Sequence, residues 1–321
     1  MTTSTSPRLL NDAGTVYPCL TDASALRAFF EREGYLVLRG VVPAAVCEAA
    51  REAFLREALP ARFSYFKRHA SGRYERHVYT EHGHMKYPIM NLQDIAGRRF
   101  GQFRQRGLEL LTHPAIQQAV RALFGEAGRL VHTMYFDGNQ TTWAHRDGDY
   151  LDSCEAGRMV GVWVAAEDIH PAAGRFYVVP RSQHMALDGA DDPNGAAYKA
   201  RLDAFVHSDR GAVLAPPMRQ GDAILWSART VHGSLPTGDA HHSRRSFTGH
   251  YVPDSQPVQR LLAKRAVEHY VTVNNVVIAQ HQDCHTLWGL LRETLRADYP
   301  AMYHLLQGLR ALRWMWRPLR S

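Results

Sequence analysis

In the first third of the chain, apolar residues recur at helical spacing. Over 22–33, Leu26, Phe29 and Phe30 share a face, Ser24 stands where a cap would, and Gly34 ends the run. Residues 35–38 read as a strand. Pro43 opens a second predicted helix to about residue 58, with Val46, Ala50, Phe54 and Ala58 on one side. A third helical stretch covers 102–123, and Pro114 divides it. From Gly128 the period changes. Short strand-like runs at 130–136, 141–145, 159–165, 176–179, 212–214, 223–226 and 244–252 are separated by turn signals such as Asp137-Gly138-Asn139 and Gln220-Gly221-Asp222. Many short strands with turns between them predict a sandwich or barrel. From residue 256 a helical pattern returns and is expected to run to the end.

This reading divides the chain into a loose leader at 1–20, one domain at 21–255, and a helical extension at 256–321 packed on the same domain. Within the domain, 63–87 has no clean period. It holds His69, His77, His82 and His84 with Lys67, Arg68, Arg73, Arg76 and Lys86, interleaved with tyrosines. Such a stretch is either a lid over a binding site or a solvated basic surface.

Composition changes this picture little. The hydrophobic fraction of 45% and charged fraction of 21% are those of an ordinary globular chain. The formal net charge of +7 favours an anionic partner, but no long basic run points to nucleic acid. Cys19, Cys47, Cys154 and Cys284 form no Cys-x-x-Cys, which suits reduced thiols. With no signal-like apolar segment in residues 1–14, a cytoplasmic location is expected.

The candidate chemistry centres on Trp143-Ala144-His145-Arg146-Asp147. On a strand, residues i and i+2 point to one face, so His145 and Asp147 would offer an imidazole and a carboxylate side by side. His232, in Thr230-Val231-His232-Gly233-Ser234, would complete a two-histidine, one-carboxylate metal face with open positions. The triplet alone is weak, because with 18 histidines in 321 residues about one His-x-Asp arises by chance. Context selects among three. His281-x-Asp283 has no strand downstream. His207-x-Asp209 has His250 downstream, but Arg260 beyond it sits in a stretch that reads as helix. Only His145-x-Asp147 has a strand pattern before it, a turn-bounded histidine later, and an arginine pair on the strand after that.

Taken in order, these segments resemble the phytanoyl-CoA dioxygenase family of Fe(II)/2-oxoglutarate oxygenases. "LRAFFEREGYLVLRGVVPAAVCEAAREAF" is similar to the family's helix–strand–helix entry, and "TTWAHRDGD" to its metal triplet. "VGVWVAAEDIHPAAGRFYVVPRSQH", "QGDAILWSARTVHGS" and "RRSFTGHYV" resemble its later strands. The resemblance runs through most of 22–252 and does not reach the tail. It implies a mainly β fold, a double-stranded β-helix (jelly-roll, cupin-like) core with flanking helices. It also implies Fe(II) on His145, Asp147 and His232, with 2-oxoglutarate and O2 at the open positions. The far carboxylate of 2-oxoglutarate needs a cation, and arginine suits it. Arg244 with Ser246 fits the family's Arg-x-Ser pattern, with Arg245 as the alternative if the register slips by one. Ser234 would face the same way as His232, and Trp163 lies where a ring often lines the site, although a core role accounts for it equally well. Related halogenases replace the carboxylate ligand by a small residue; here Asp147 is present, which favours hydroxylation. Asp149, one strand repeat further on, reads either as a substrate-facing residue or as a turn residue.

The expected activity is hydroxylation of an unactivated C–H bond of an anionic small molecule or lipid-linked substrate. The other readings are a cupin-like metal-binding protein without oxygenase activity, and a metalloenzyme of the same fold that does not use 2-oxoglutarate. In the tail, Arg310, Arg313, Arg317 and Arg320 share one side of a helical pattern, and Leu305, Leu309, Leu312 and Trp316 form a second stripe, with Trp314 and Met315 beside them. This helix either packs on the domain or a second subunit, or makes a peripheral contact with an anionic membrane.

Overall fold

The computed structural model describes residues 7–11, 14–68, 73–187, 192–260, 269–280 and 285–315, with Arg260 and 309–315 described by backbone alone. The helices are α1 (Ala23–Glu33), α2 (Ala44–Ala53), α3 (Gly101–Leu111), α4 (Pro114–Phe124), α5 (Ala196–Val206), α6 (Leu287–Ala297) and α7 (Pro300–Met315). The strands are β1 (Tyr35–Leu38), β2 (Tyr65–Lys67), β3 (Tyr74–Arg76), β4 (Ile89–Met90), β5 (Gly128–Phe136), β6 (Leu151–Ser153) and β7 (Val160–Ala165). They continue as β8 (Phe176–Val178), β9 (Ala223–Ser227), β10 (His232–Ser234), β11 (Ser246–Pro253), β12 (Val258–Arg260), β13 (His269–Val273) and β14 (Val276–Gln280).

The large sheet runs β1-β9-β7-β11-β5-β14-β13, with β4 also on β5. Small antiparallel pairs, β8 with β10 and β6 with β12, accompany it. This is the jelly-roll architecture, with helices flanking the sheet. β1 is buried along its whole length, as its unbroken apolar run Tyr-Leu-Val-Leu requires. Leu26 and Phe29 of α1 pack into the same core. The cap of α1 is Asp22, whose Oδ1 accepts from Ala25 N–H (2.9 Å), and Ser24 donates to that same oxygen. Ser24 is therefore not the cap, although it stands in the first turn. Gly34 closes the helix at φ 79°, a left-handed conformation open to glycine. Pro114 does divide the third helical stretch, entering α4 at its first turn.

Several expectations need correction. Residues 269–280 are not helical: β13 and β14 form a hairpin whose inner strand joins β5, and only from Leu287 does helix follow. Arg260 ends β12, which pairs with β6, so its stretch is strand. Periodicity misread this region because a half-exposed hairpin and an amphipathic helix bury similar fractions of apolar residues. Residues 141–145 form no strand beyond a single bridge at His145. The leader is partly docked: Leu9 bridges Val213, and the Tyr17 ring lies edge-on to Phe29 and Tyr35. The described part of 63–87 contains the hairpin β2–β3. His77 in it is half-buried against Phe66, and desolvation pulls its imidazole down to about 3, so it is neutral.

That hairpin carries the helix pair α6–α7. Arg296 lies 3.5 Å over the Tyr74 ring, Tyr303 meets Tyr65 edge-on, and Ser64 Oγ donates to the Ala297 carbonyl (2.8 Å). Glu293 lines the seam with Asp94 and Arg296. Burial pushes its carboxyl up to about 7, Asp94 adds to the effect and Arg296 opposes it. A carboxyl raised on folding costs nothing while it is protonated below its unfolded range, and costs increasingly as pH climbs toward 7. Glu293→Gln should therefore stabilise the chain at pH 8 by on the order of 2 kcal/mol and leave it nearly unchanged at pH 4. Urea unfolding at the two pH values measures this, and equal curves for variant and parent at pH 8 would refute it.

Candidate metal centre

The site is built where the irregular segment after β5 meets β10. His145 and His232 exchange both backbone hydrogen bonds, each 3.0 Å, which places their rings together with centroids 4.2 Å apart. Asp147 sits at the start of a single 3-10 turn. One potential ligand atom from each of His145, Asp147 and His232 lies within 4.8 Å of the others, the one such group among the described residues. Asp147 Oδ1 is 3.6 Å from His145 Nε2, and Oδ2 is 3.5 Å from His232 Nε2.

The tautomers follow from the backbone. Nδ1 of His145 lies 2.9 Å from the Trp143 carbonyl, and Nδ1 of His232 lies 3.0 Å from that of Thr230. A carbonyl only accepts, so both Nδ1 atoms carry the proton and both Nε2 lone pairs face Asp147. Burial pulls His145 down to about 4, helped by His232, and burial likewise lowers His232. For Asp147, burial pushes the carboxyl up, but His232, His250 and His145 outweigh it and hold the carboxyl well below the usual range. Near neutral pH the set is two neutral imidazoles and one carboxylate, the protonation state that metal ligation requires.

Two residues that the sequence reading did not assign to this site hold the carboxylate. Trp226 Nε1–H donates to Asp147 Oδ2 at 2.8 Å, and His250 Nε2 lies 3.1 Å from the same oxygen. They come from one row of the large sheet. Trp226, Gly161, His250 and His132 are register partners across β9, β7, β11 and β5. Gly161 is needed there, since a Cβ would lie 2.2 Å from the Trp226 ring. His132 Nδ1 is 3.1 Å from His250 Nδ1 and extends the row. His250 thus serves Asp147, while His207 lies at the end of α5 bonded to the Asp203 carbonyl. His281-x-Asp283 lies outside the described residues. The period-two alternation Arg244, Ser246, Thr248, His250 along β11 was the available signal for His250. Trp226 had none short of the strand register. Trp226→Phe keeps a ring and removes the donor, so metal affinity should fall by about 10–100-fold with the fold retained. Titration of the purified chain with Fe(II) or Zn(II) reads this; unchanged affinity would make the bond a packing detail.

A cavity of about 190 Å³ opens beside the three ligand atoms. Trp163, Phe176, Trp226, Met134 and Thr248 are among the residues that wall it. Trp163 stacks on Phe176 at 5.9 Å. Arg68, Met85, Lys86 and Tyr87, from the segment read as lid or solvated surface, line it too, so that segment takes part in the pocket. Arg244 reaches this cavity, only 3% exposed, and its guanidinium donates to the carbonyls of Gln140 (2.9 Å) and Gly174. Burial pulls it down to about 10, so it stays charged, and no carboxylate among the described residues pairs with it. Arg245 points elsewhere, pairing with Asp137 (2.9 Å) and Glu167 (3.2 Å). Ser234 lines the cavity and accepts from Thr142 N–H. Ser246 does not: it is buried, its Oγ donates to the Arg244 carbonyl, and it is absent from the cavity wall. Asp149 is a turn residue, held by Arg146 and Tyr198.

A jelly roll that gathers two histidines and a carboxylate beside a cavity containing a buried arginine defines a candidate mononuclear metal protein of the cupin-like class. The phytanoyl-CoA dioxygenase (PhyH) family matches residues 30–246, about two thirds of the chain, and the chain belongs to that family. Phytanoyl-CoA dioxygenase domain-containing protein 1 of Rattus norvegicus is 27% identical over 155 residues, covering 44% of this chain and 51% of the relative. The chain thus spans about half the length of the rat and mouse relatives it matches. The Danio rerio protein of the same name is 24% identical over 276 residues, covering 74% of this chain and 92% of the relative. Among solved structures, the fold is similar to the epimerase SnoN in complex with Fe3+, alpha ketoglutarate and nogalamycin RO, with TM-score 0.54 and 21% identity over 81% of this chain and 98% of that one. EctD from S. alaskensis with 2-oxoglutarate and 5-hydroxyectoine gives TM-score 0.57 and 18% identity over 85% and 94%.

Proposed function

We propose that this chain is an Fe(II)- and 2-oxoglutarate-dependent dioxygenase that hydroxylates an unactivated C–H bond of an anionic small molecule. The observation that carries the reading is the pairing, in one cavity, of the His145, Asp147, His232 donor set with a buried arginine that has no acidic partner among the described residues. A vestigial or structural metal site has no use for that arginine, since an uncompensated buried cation is costly to retain. The donor set fits Fe(II): two imidazoles and a carboxylate leave positions open for other ligands. With iron, 2-oxoglutarate and O2 bound, the site supplies oxidising power while 2-oxoglutarate is converted to succinate and CO2.

The chain's own residues do the positioning. His145 Nε2, His232 Nε2 and Asp147 would hold the metal, with Trp226 and His250 orienting Asp147 through Oδ2. Arg244 would neutralise the distal carboxylate of 2-oxoglutarate, and Ser234 lines the same cavity. Trp163, Phe176 and Met134 keep that part of the cavity apolar. Lys86 favours an anionic substrate, because on the same wall Arg68 and Asp137 are already paired, with Glu75 (3.1 Å) and Arg245 (2.9 Å). Purified chain supplied with Fe(II), O2 and 2-oxoglutarate, with a panel of carboxylated and phosphorylated small molecules, tests the reading. Substrate-stimulated succinate formation is expected; product formation without 2-oxoglutarate consumption would favour a metalloenzyme of another kind.

A further inference from the structure

Among the described side chains, the helix pair α6–α7 docks through one side. Gly289, Ala297 and Tyr303 are buried, and the contacts to Tyr65, Tyr74 and Ser64 described above use that side. The other side is open and apolar. On α6, Leu287 is 86% and Trp288 74% exposed, with Leu291 one turn on. On α7, Met302 and Leu305 (63% exposed) stand out with Leu306, at the three- and four-residue spacing of a single stripe. Isolated exposed apolar side chains are ordinary, but six on two contiguous helices form a patch that marks an interaction surface.

Charge indicates what covers it. From residue 285 onward the chain carries six arginines against Glu293 and Asp298, so this segment supplies more than half of the net +7. Asp298 is already paired with Arg99, and Glu293 is in the seam. The last thirteen residues contain Arg310, Arg313, Arg317 and Arg320, two further tryptophans and no acid. A second copy of the chain would bring these like charges together. A polyanion such as nucleic acid would satisfy the arginines and leave the leucines in water. A lipid surface with acidic headgroups satisfies both at once. No helix among the described residues is long and apolar enough to cross a bilayer, so the contact lies in the headgroup plane.

We propose that the α6–α7 face is a peripheral docking surface for anionic phospholipid bilayers. The same helices grip the β2–β3 hairpin, and Arg68, just after β2, lines the cavity. Docking would therefore set the hairpin side of the cavity near the membrane.

Sedimentation of the full chain with vesicles tests this independently of any enzymatic reading. Vesicles of phosphatidylcholine with 30% phosphatidylserine (about one anionic headgroup in three) should carry down most of the protein at low salt. The bound fraction should fall several-fold in ~0.5 M salt and on pure phosphatidylcholine. The exposed-site double variant Trp288→Glu, Leu305→Glu should lose binding by about tenfold or more, with its far-UV circular dichroism unchanged. Absence of sedimentation with the acidic vesicles at low salt overturns the proposal, as does full binding by the double variant. Equal binding to neutral vesicles also overturns it. A concentration-dependent dimer that the double variant dissociates, without vesicle binding by the parent, would assign the face to self-association instead.

Discussion

Arg244→Ala is expected to raise the 2-oxoglutarate concentration needed for half-maximal succinate formation by about 100-fold or more, since truncating one partner of a buried charge pair costs on the order of 2–5 kcal/mol. The reason is placement. Arg244 is a charged, buried group whose described partners are two neutral carbonyls, so the ligand's carboxylate would be its counter-charge. Arg245→Ala should act on a different quantity. It strands Asp137, whose carboxyl is buried and bound by Arg245 and by the Met85 N–H. Stability should fall by on the order of 3 kcal/mol while the 2-oxoglutarate requirement stays within a few-fold. Steady-state kinetics with 2-oxoglutarate varied, alongside urea unfolding, separates the two. A larger kinetic effect from Arg245→Ala would reverse the assignment.

The second large effect concerns the metal. His145→Ala, Asp147→Ala and His232→Ala should each weaken Fe(II) binding by at least about 100-fold and abolish oxidation, because each removes one of three protein ligands. His207→Ala should change neither, since His207 is bonded within its own helix end. Asp147→Gly is the sharper variant: it should lose hydroxylation and leave a ligand position open to chloride. Titration with Fe(II) under anaerobic conditions reads affinity directly. Wild-type hydroxylation by Asp147→Gly would show that this carboxylate is not a ligand, and loss of iron binding in His207→Ala with an intact fold would mean the wrong triplet had been chosen.

Much of this site was legible in the chain because its parts are local. His145-x-Asp147 and His232-Gly-Ser234 are motifs within five residues, and the order of helices and short strands around them follows from periodicity and from Pro and Gly positions. The choice between Arg244 and Arg245 was not legible. Neighbouring residues on a strand face opposite ways, and a one-residue slip exchanges them; the pairing of β11 with β5 and β7 settled which one enters the cavity. Ser246 lies off the cavity wall, because Arg-x-Ser spacing specifies a face but not whether a small side chain reaches the cavity. Trp226 and His250 meet Asp147 from 79 and 103 residues away in sequence, across a strand order that no local pattern encodes. The tail divided the same way: its apolar and basic stripes were readable by spacing, but the hairpin at 269–280 and the exposed side of α6–α7 depend on what each segment packs against. Chemistry that needs specific residue types at short spacing is written in the sequence. Orientation, support and burial are set by long-range strand register and packing, and only the tertiary structure decides them.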